Sequence, residues 1–100
     1  MIRGTTPTHI FTVPFDTSII KTVRVIYEQN NKKILYKRNE DVEISDNTIS
    51  LKLTQEDTLK FKHGKNVKIQ LRVLTNDGEA MNSAIIVDSV QECLDDEVLV

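Results

Sequence analysis

The sequence predicts an all-β fold of two packed antiparallel sheets. Apolar residues alternate with polar ones along several segments, Asn, Asp and Gly sit between those segments, and no stretch of ten or more residues sustains a 3.6-residue period. Alternation at period 2 turns one side of a strand to a core and the other to water. The repeated Val, Ile, Thr and Phe suit such a half-buried pleated surface.

Phe11, Val13 and Phe15 mark the first strand, which Pro14 closes. Val23, Val25 and Tyr27 mark the second, with Ile26 breaking the alternation, and Asn30-Asn31 separates it from Lys33-Ile34-Leu35-Tyr36. Asp46-Asn47 precedes the strand of Ile49, Leu51 and Leu53. Val67, Ile69, Leu71 and Val73 form the clearest strand, and Asn76-Asp77-Gly78 turns it into a last apolar run, Ala84-Ile85-Ile86-Val87. Asp-Gly between apolar runs is a strong hairpin signal, because Gly accepts the positive φ such turns demand. Seven strands follow, at about 8–14, 22–29, 33–38, 42–45, 48–54, 66–75 and 80–90. The one helical candidate is Thr54-Gln55-Glu56-Asp57-Thr58-Leu59. There Thr54 and Asp57 stand at capping-box spacing, and Gly64 is the expected left-handed stop.

Seven short strands and one helical turn in 100 residues predict an immunoglobulin-like antiparallel β-sandwich. Without Trp, and with Cys93 unpartnered, it is not a disulfide-bonded antibody-type domain. A small closed barrel shares the same alternation and stays open as an alternative. The expected organisation is a sandwich domain over 1–90 and a tail over 91–100.

Thirteen Lys and Arg oppose fifteen Asp and Glu, a net charge of −2, so the overall field attracts neither nucleic acid nor an anionic membrane. The opening has no apolar run long enough for a signal peptide and no run reaches membrane-spanning length, so synthesis and folding in a cytoplasm are expected. His9 and His63 stand far apart without a ligand-spaced partner, so no metal is expected; His9 is assigned to an edge strand and His63 to an exposed turn. Acidic neighbours disfavour a thiolate at Cys93, which reads as a small apolar residue near the sheet end. The carboxylate pairs Asp41/Glu43 and Glu56/Asp57 read as solvated surface. With three glycines and no nucleophile elbow, no catalytic residue and no cofactor are expected.

Two features remain. Lys60, Lys62, Lys65 and Lys68, with Lys32, Lys33, Lys37 and Arg38, form a basic stretch interleaved by Tyr36 and Phe61. Single-strand nucleic-acid binders interleave basic residues and aromatics in this way, but the charge balance favours outward strand positions that protect sheet edges, with Phe61 plugging the sandwich end. The tail mixes Glu92, Asp95, Asp96 and Glu97 with Leu94, Val98, Leu99 and Val100. It is either a frayed acidic end or a segment that docks its apolar residues on a neighbour.

The opening Gly4-Thr5-Thr6-Pro7-Thr8-His9-Ile10-Phe11-Thr12-Val13-Pro14-Phe15-Asp16 resembles small proteins of tailed phages and prophages of Gram-positive bacteria. So does Leu51-Lys52-Leu53-Thr54-Gln55-Glu56-Asp57-Thr58-Leu59-Lys60-Phe61, followed by Gly64 and Val67-Lys68-Ile69-Gln70-Leu71-Arg72-Val73. The pattern is similar to the N-terminal immunoglobulin-like domain of phage baseplate upper proteins, over about residues 4 to 90, with the corner at Thr58, Phe61 and Gly64 and the hairpin at Asp77-Gly78. The chain lacks the long helical and receptor-binding portions of those proteins. The resemblance implies a non-enzymatic structural or adaptor protein of a tail or baseplate, made in the host cytoplasm and carried in the virion. Its partners would be other phage structural proteins, with a homo-oligomer as an alternative, and neither nucleic acid nor membrane. The expected interface residues are Leu94, Val98, Leu99 and Val100, and the opening 1–8 is a second arm able to cross to a neighbour. The competing readings are a carbohydrate-binding module and an intracellular phage-encoded regulator.

Overall fold

A computed structural model describes all of residues 1–100. Its strands are β1 (Thr8–Thr12), β2 (Ile20–Gln29), β3 (Lys32–Lys37), β4 (Val42–Ser45), β5 (Thr48–Lys52), β6 (Val67–Thr75), β7 (Ala80–Asn82) and β8 (Ile86–Asp88), with one helical turn, α1 (Gln55–Leu59). One sheet runs β1-β5-β4, the other β3-β2-β6-β7 with β8 also paired to β6, and every ladder is antiparallel. This is the B-E-D sheet and the C′-C-F-G sheet of an immunoglobulin-like sandwich. The alternation predicted it: Val23, Val25 and Tyr27 of β2, Ile49 and Leu51 of β5, and Val67, Ile69, Leu71 and Val73 of β6 are all buried in one core.

The turns follow their residue types. Asn30 and Asn31 both take positive φ, 54° and 62°, and form the two-residue loop between β2 and β3. That conformation matches the twist of the flanking strands. Gly78, at φ 88°, ends the turn after β6, where its amide donates to the Thr75 carbonyl at 3.0 Å.

The expected last strand is divided in two. Between β7 and β8 the register against β6 moves by one residue, which is a bulge. Ser83 holds it: its hydroxyl accepts the Leu71 amide at 3.0 Å and donates to the Ala84 carbonyl at 2.9 Å. A side chain thus stands where a ladder partner would be.

α1 forms where expected. Thr54 Oγ1 accepts the Asp57 amide at 3.1 Å, and an Asp57 carboxylate oxygen accepts the Thr54 amide at 3.0 Å. The stop differs. The helix is capped at Lys60 in a right-handed conformation, while Gly64, at φ 77°, shapes the later turn into β6. Arg3 supplies the terminating contacts, donating from Nε to the Phe61 carbonyl at 2.7 Å and from Nη2 to the Leu59 carbonyl at 3.1 Å. A cation at the carbonyl end of a helix also complements its dipole.

The opening is therefore tied down within the domain. Ile2 bridges Gln91, Pro7 accepts the Leu53 amide, and the Thr58 hydroxyl donates to the Thr5 carbonyl at 2.9 Å. Asp41 also differs from the expected strand face: it ends a 3-10 turn and accepts the Arg38 amide at 2.9 Å.

Candidate protein-interaction site

Tyr27 lies at the centre of the sandwich, fully buried, tilted against His9 and Phe61 with ring centroids 5.6 and 6.0 Å away. Phe61 plugs the core as expected. The Tyr27 hydroxyl lies 2.6 Å from His9 Nδ1. Burial, and then the Asp57 carboxylate, push the phenol well above its usual range, so it stays protonated; the imidazole tautomer sets whether the hydroxyl donates to Nδ1 or accepts from Nδ1–H. His9, on edge strand β1 as expected, is held below its ordinary 6.5 by burial; the Asp88 carboxylate opposes this and the terminal ammonium adds to it.

A base with a lowered folded pKa takes up its proton more readily in the unfolded chain. The contribution of His9 is therefore fully present above pH 6.5 and is lost as pH falls from there through its folded value. Urea unfolding at about pH 7.5 and about pH 5.5 will show a stability loss in the wild type that His9→Gln reduces. Equal slopes in the two proteins would show that His9 does not set that limb.

His63 lies on an exposed turn. The carboxylate pairs separate by environment. Glu43 and Glu56 are exposed, while Asp57 is buried in the capping box and pairs with Lys37 at 3.0 Å. Cys93 is half-buried, its thiol donating to the Asp95 carbonyl. No group of three or more His, Cys, Asp or Glu comes together.

The four expected interface residues lie on a tail that projects its apolar side chains. Val90 is the last core residue, and Gln91 donates its amide to the Met1 carbonyl at 2.9 Å. Beyond it, Leu94 is 98% exposed and Leu99 73%, with Val98 and Val100 also exposed. Few contacts hold this segment. Gln55 exchanges two hydrogen bonds with the Leu99 backbone, at 2.7 and 3.2 Å, and Asp96 pairs with Arg3 at 2.9 Å.

A second apolar surface lies where the sandwich opens between β1 and the β7–β8 edge. There a groove of about 610 Å³ is lined by Phe11, Val13, Phe15, Leu71, Val73 and Met81. Ile10 and Ile86, both exposed, also line it.

The basic stretch is divided by the fold. Lys60, Lys62 and Lys65 are exposed in the α1–β6 connection, and Lys37 turns toward Asp57. Lys33, Arg38 and Lys68 join two residues the sequence reading did not group with them, Arg24 and Arg72, on the outer face of the larger sheet. The strand alternation carried the signal: Arg24 lies between buried Val23 and Val25, and Arg72 between buried Leu71 and Val73.

The strand order and the exposed tail define an immunoglobulin-like sandwich module. No known family profile matches the chain, and no curated protein matches it. Among solved structures, the V domain of amphioxus IgVJ-C2 is similar over 91% of this chain and 95% of that one, at 10% identity and a TM-score of 0.36. The fold assignment rests on the sheet order of this chain itself.

Proposed function

We propose that this chain is a non-enzymatic structural or adaptor module of a phage or prophage particle, associated with the tail or baseplate, and that it works by docking its tail on a neighbouring subunit. The observation that supports this most is the exposure of Leu94 and Leu99 on a segment held by a few polar contacts. Apolar side chains placed in water beyond a completed core gain free energy when a partner covers them. The open apolar edge beside β1 adds surface of the same kind. Resemblance of the opening and of the β5–β6 region to phage tail proteins supports the setting.

The competing glycan reading needs an exposed aromatic platform. None of the five aromatic side chains is exposed: Phe11, Tyr27 and Phe61 are buried, and Phe15 and Tyr36 are half-buried. This favours protein contact over sugar stacking.

Leu94→Asp/Leu99→Asp in the full chain tests the reading. Both positions lie outside the core, so circular dichroism and Tm will match the wild type within about 3 °C. The variant will nevertheless be depleted from particles and from complexes with tail proteins. Normal incorporation of the folded variant would contradict the reading.

A further inference from the structure

The outer face of the larger sheet carries an excess of positive charge. On β2 the residues that face away from the core are Arg24, Ile26 and Glu28, and on β6 they are Lys68, Gln70 and Arg72. The register sets Arg24 directly opposite Arg72, and like charges in that position destabilise a sheet. Glu28 stands between Lys68 of β6 and Lys33 of β3, and on the β3 side Tyr36 stands opposite Ile26. Arg24, Lys33 and Arg38 approach the Tyr36 ring to within 5.4, 5.6 and 5.2 Å of its centroid, and Arg24 donates to the Tyr36 hydroxyl at 2.6 Å. Five cations thus share a face with one carboxylate, and none of the five forms an ion pair. This concentration is the more pronounced in a chain whose net charge is −2.

The face is also concave. A groove of about 340 Å³ lies on it, lined by three cations, Lys33, Lys68 and Arg72, against one carboxylate, Glu28, with Ile26, Tyr36 and Ile85 among its less polar residues. Its complement is an extended segment with several carboxylates and an apolar side chain.

The chain carries such a segment. Residues 92–97 hold Glu92, Leu94, Asp95, Asp96 and Glu97. Only Asp96 has a cation partner within its own copy, and Leu94 is exposed. Nine residues follow Gln91, the last with a backbone hydrogen bond to the opening, and once released from the Asp96–Arg3 and Leu99–Gln55 contacts and extended they span about 30 Å. We propose that the groove on the outer face of the larger sheet receives the acidic tail segment 92–97 of a second copy of this chain. Glu92, Asp95 and Glu97 face the cations, and Leu94 rests on Ile26 and Ile85.

The inference rests on the reading above that the tail docks on a neighbour, and it names the neighbour and the receiving surface. Nucleic acid fits the face less well. Stacking binders present several free aromatic rings, whereas Tyr36 is the only ring on this face and cations already flank it. Tail and groove are different surfaces, so the contact is heterologous and repeats from copy to copy, closing into a ring where the rotation permits.

Two full-length variants test it by sedimentation velocity. Arg24→Glu/Arg72→Glu cancels the positive excess of the face, leaving three cations against three carboxylates, and keeps the tail. Glu92→Gln/Asp95→Asn/Glu97→Gln neutralises the tail and keeps the face, leaving the Asp96–Arg3 pair intact. Circular dichroism establishes that each is folded, and Arg24→Gln/Arg72→Gln replaces the first if the Glu pair prevents folding.

The wild type is expected to self-associate at low salt, about tenfold more tightly than in about 0.5 M salt, where the Debye length is a few ångströms. Each variant alone is expected to be monomeric. Mixed, the two are expected to form a one-to-one dimer that grows no further, because one intact groove meets one intact tail.

A monomeric mixture beside an associating wild type would overturn the proposal, as would a wild type that stays monomeric at low salt. Tighter binding of a single-stranded oligonucleotide than of a second copy, lost in Arg24→Glu/Arg72→Glu, would assign the face to nucleic acid instead. Particle incorporation separates this inference from the reading beneath it. If Leu94→Asp/Leu99→Asp blocks incorporation while Arg24→Glu/Arg72→Glu does not, the tail docks elsewhere and only the groove assignment falls.

Discussion

Phe61→Ala is expected to cost about 3–5 kcal/mol, a large fraction of the roughly 5–15 kcal/mol that holds a domain of this size folded. The ring is 1% exposed and packs against Tyr27, whose own ring touches His9 on edge strand β1. Removing it leaves a void beside the largest buried side chain, and the surrounding strands cannot collapse into it without breaking their registers. The backbone around Phe61 is also committed. Its carbonyl accepts Arg3 Nε, and the adjacent Lys62 amide donates to the buried Gln29 side chain at 2.7 Å. Tm should fall by about 12 °C or more, measured by calorimetry. A fall under about 4 °C would show that this end of the sandwich can repack.

Asp57→Ala is expected to cost about 2–4 kcal/mol, because one carboxylate performs two tasks. It accepts the Thr54 amide to complete the capping box, and it meets the Lys37 ammonium at 3.0 Å, where the Asp57 side chain is 8% exposed and that of Lys37 20%. Truncation removes the cap and leaves Lys37, aimed at the helix from β3, without a partner. Burial by itself pushes the Asp57 carboxyl up; the Thr54 amide and the Lys37 ammonium outweigh it and hold the group below its ordinary 3.8.

A carboxyl lowered on folding contributes stability that is present above 3.8 and is lost as pH falls through the folded value. Asp57→Asn should accordingly be destabilised near neutrality and show a shallower acid limb in urea melts between about pH 5 and about pH 2. Parallel limbs for variant and wild type would show that acid sensitivity resides in other groups.

Much of the fold could be read from local pattern. The alternation of Val67, Ile69, Leu71 and Val73 against Lys68, Gln70 and Arg72 is a half-buried strand in any context. Thr54 and Asp57 announce their cap by spacing alone. The division between β7 and β8 could not be read in this way, because it depends on the Ser83 hydroxyl meeting the Leu71 amide across a hairpin. The anchored opening was hidden for the same reason: Arg3 finds its carbonyls on α1, remote in sequence.

The basic face shows the limit most clearly. Lys33 and Arg38 belong to a charge run in the sequence, yet Lys37 between them turns inward to Asp57. Arg24 and Arg72 belong to no run at all, and only the β2–β6 register brings them together. The acidic and apolar composition of the tail was legible directly, since a segment beyond the last core residue keeps the character its composition gives it.

Counting copies of this chain in purified, complete particles by quantitative mass spectrometry tests the proposed role most directly. A structural module predicts peptides of the chain at a fixed copy number per particle, the same in every preparation. Complete, infectious particles without the chain would contradict it.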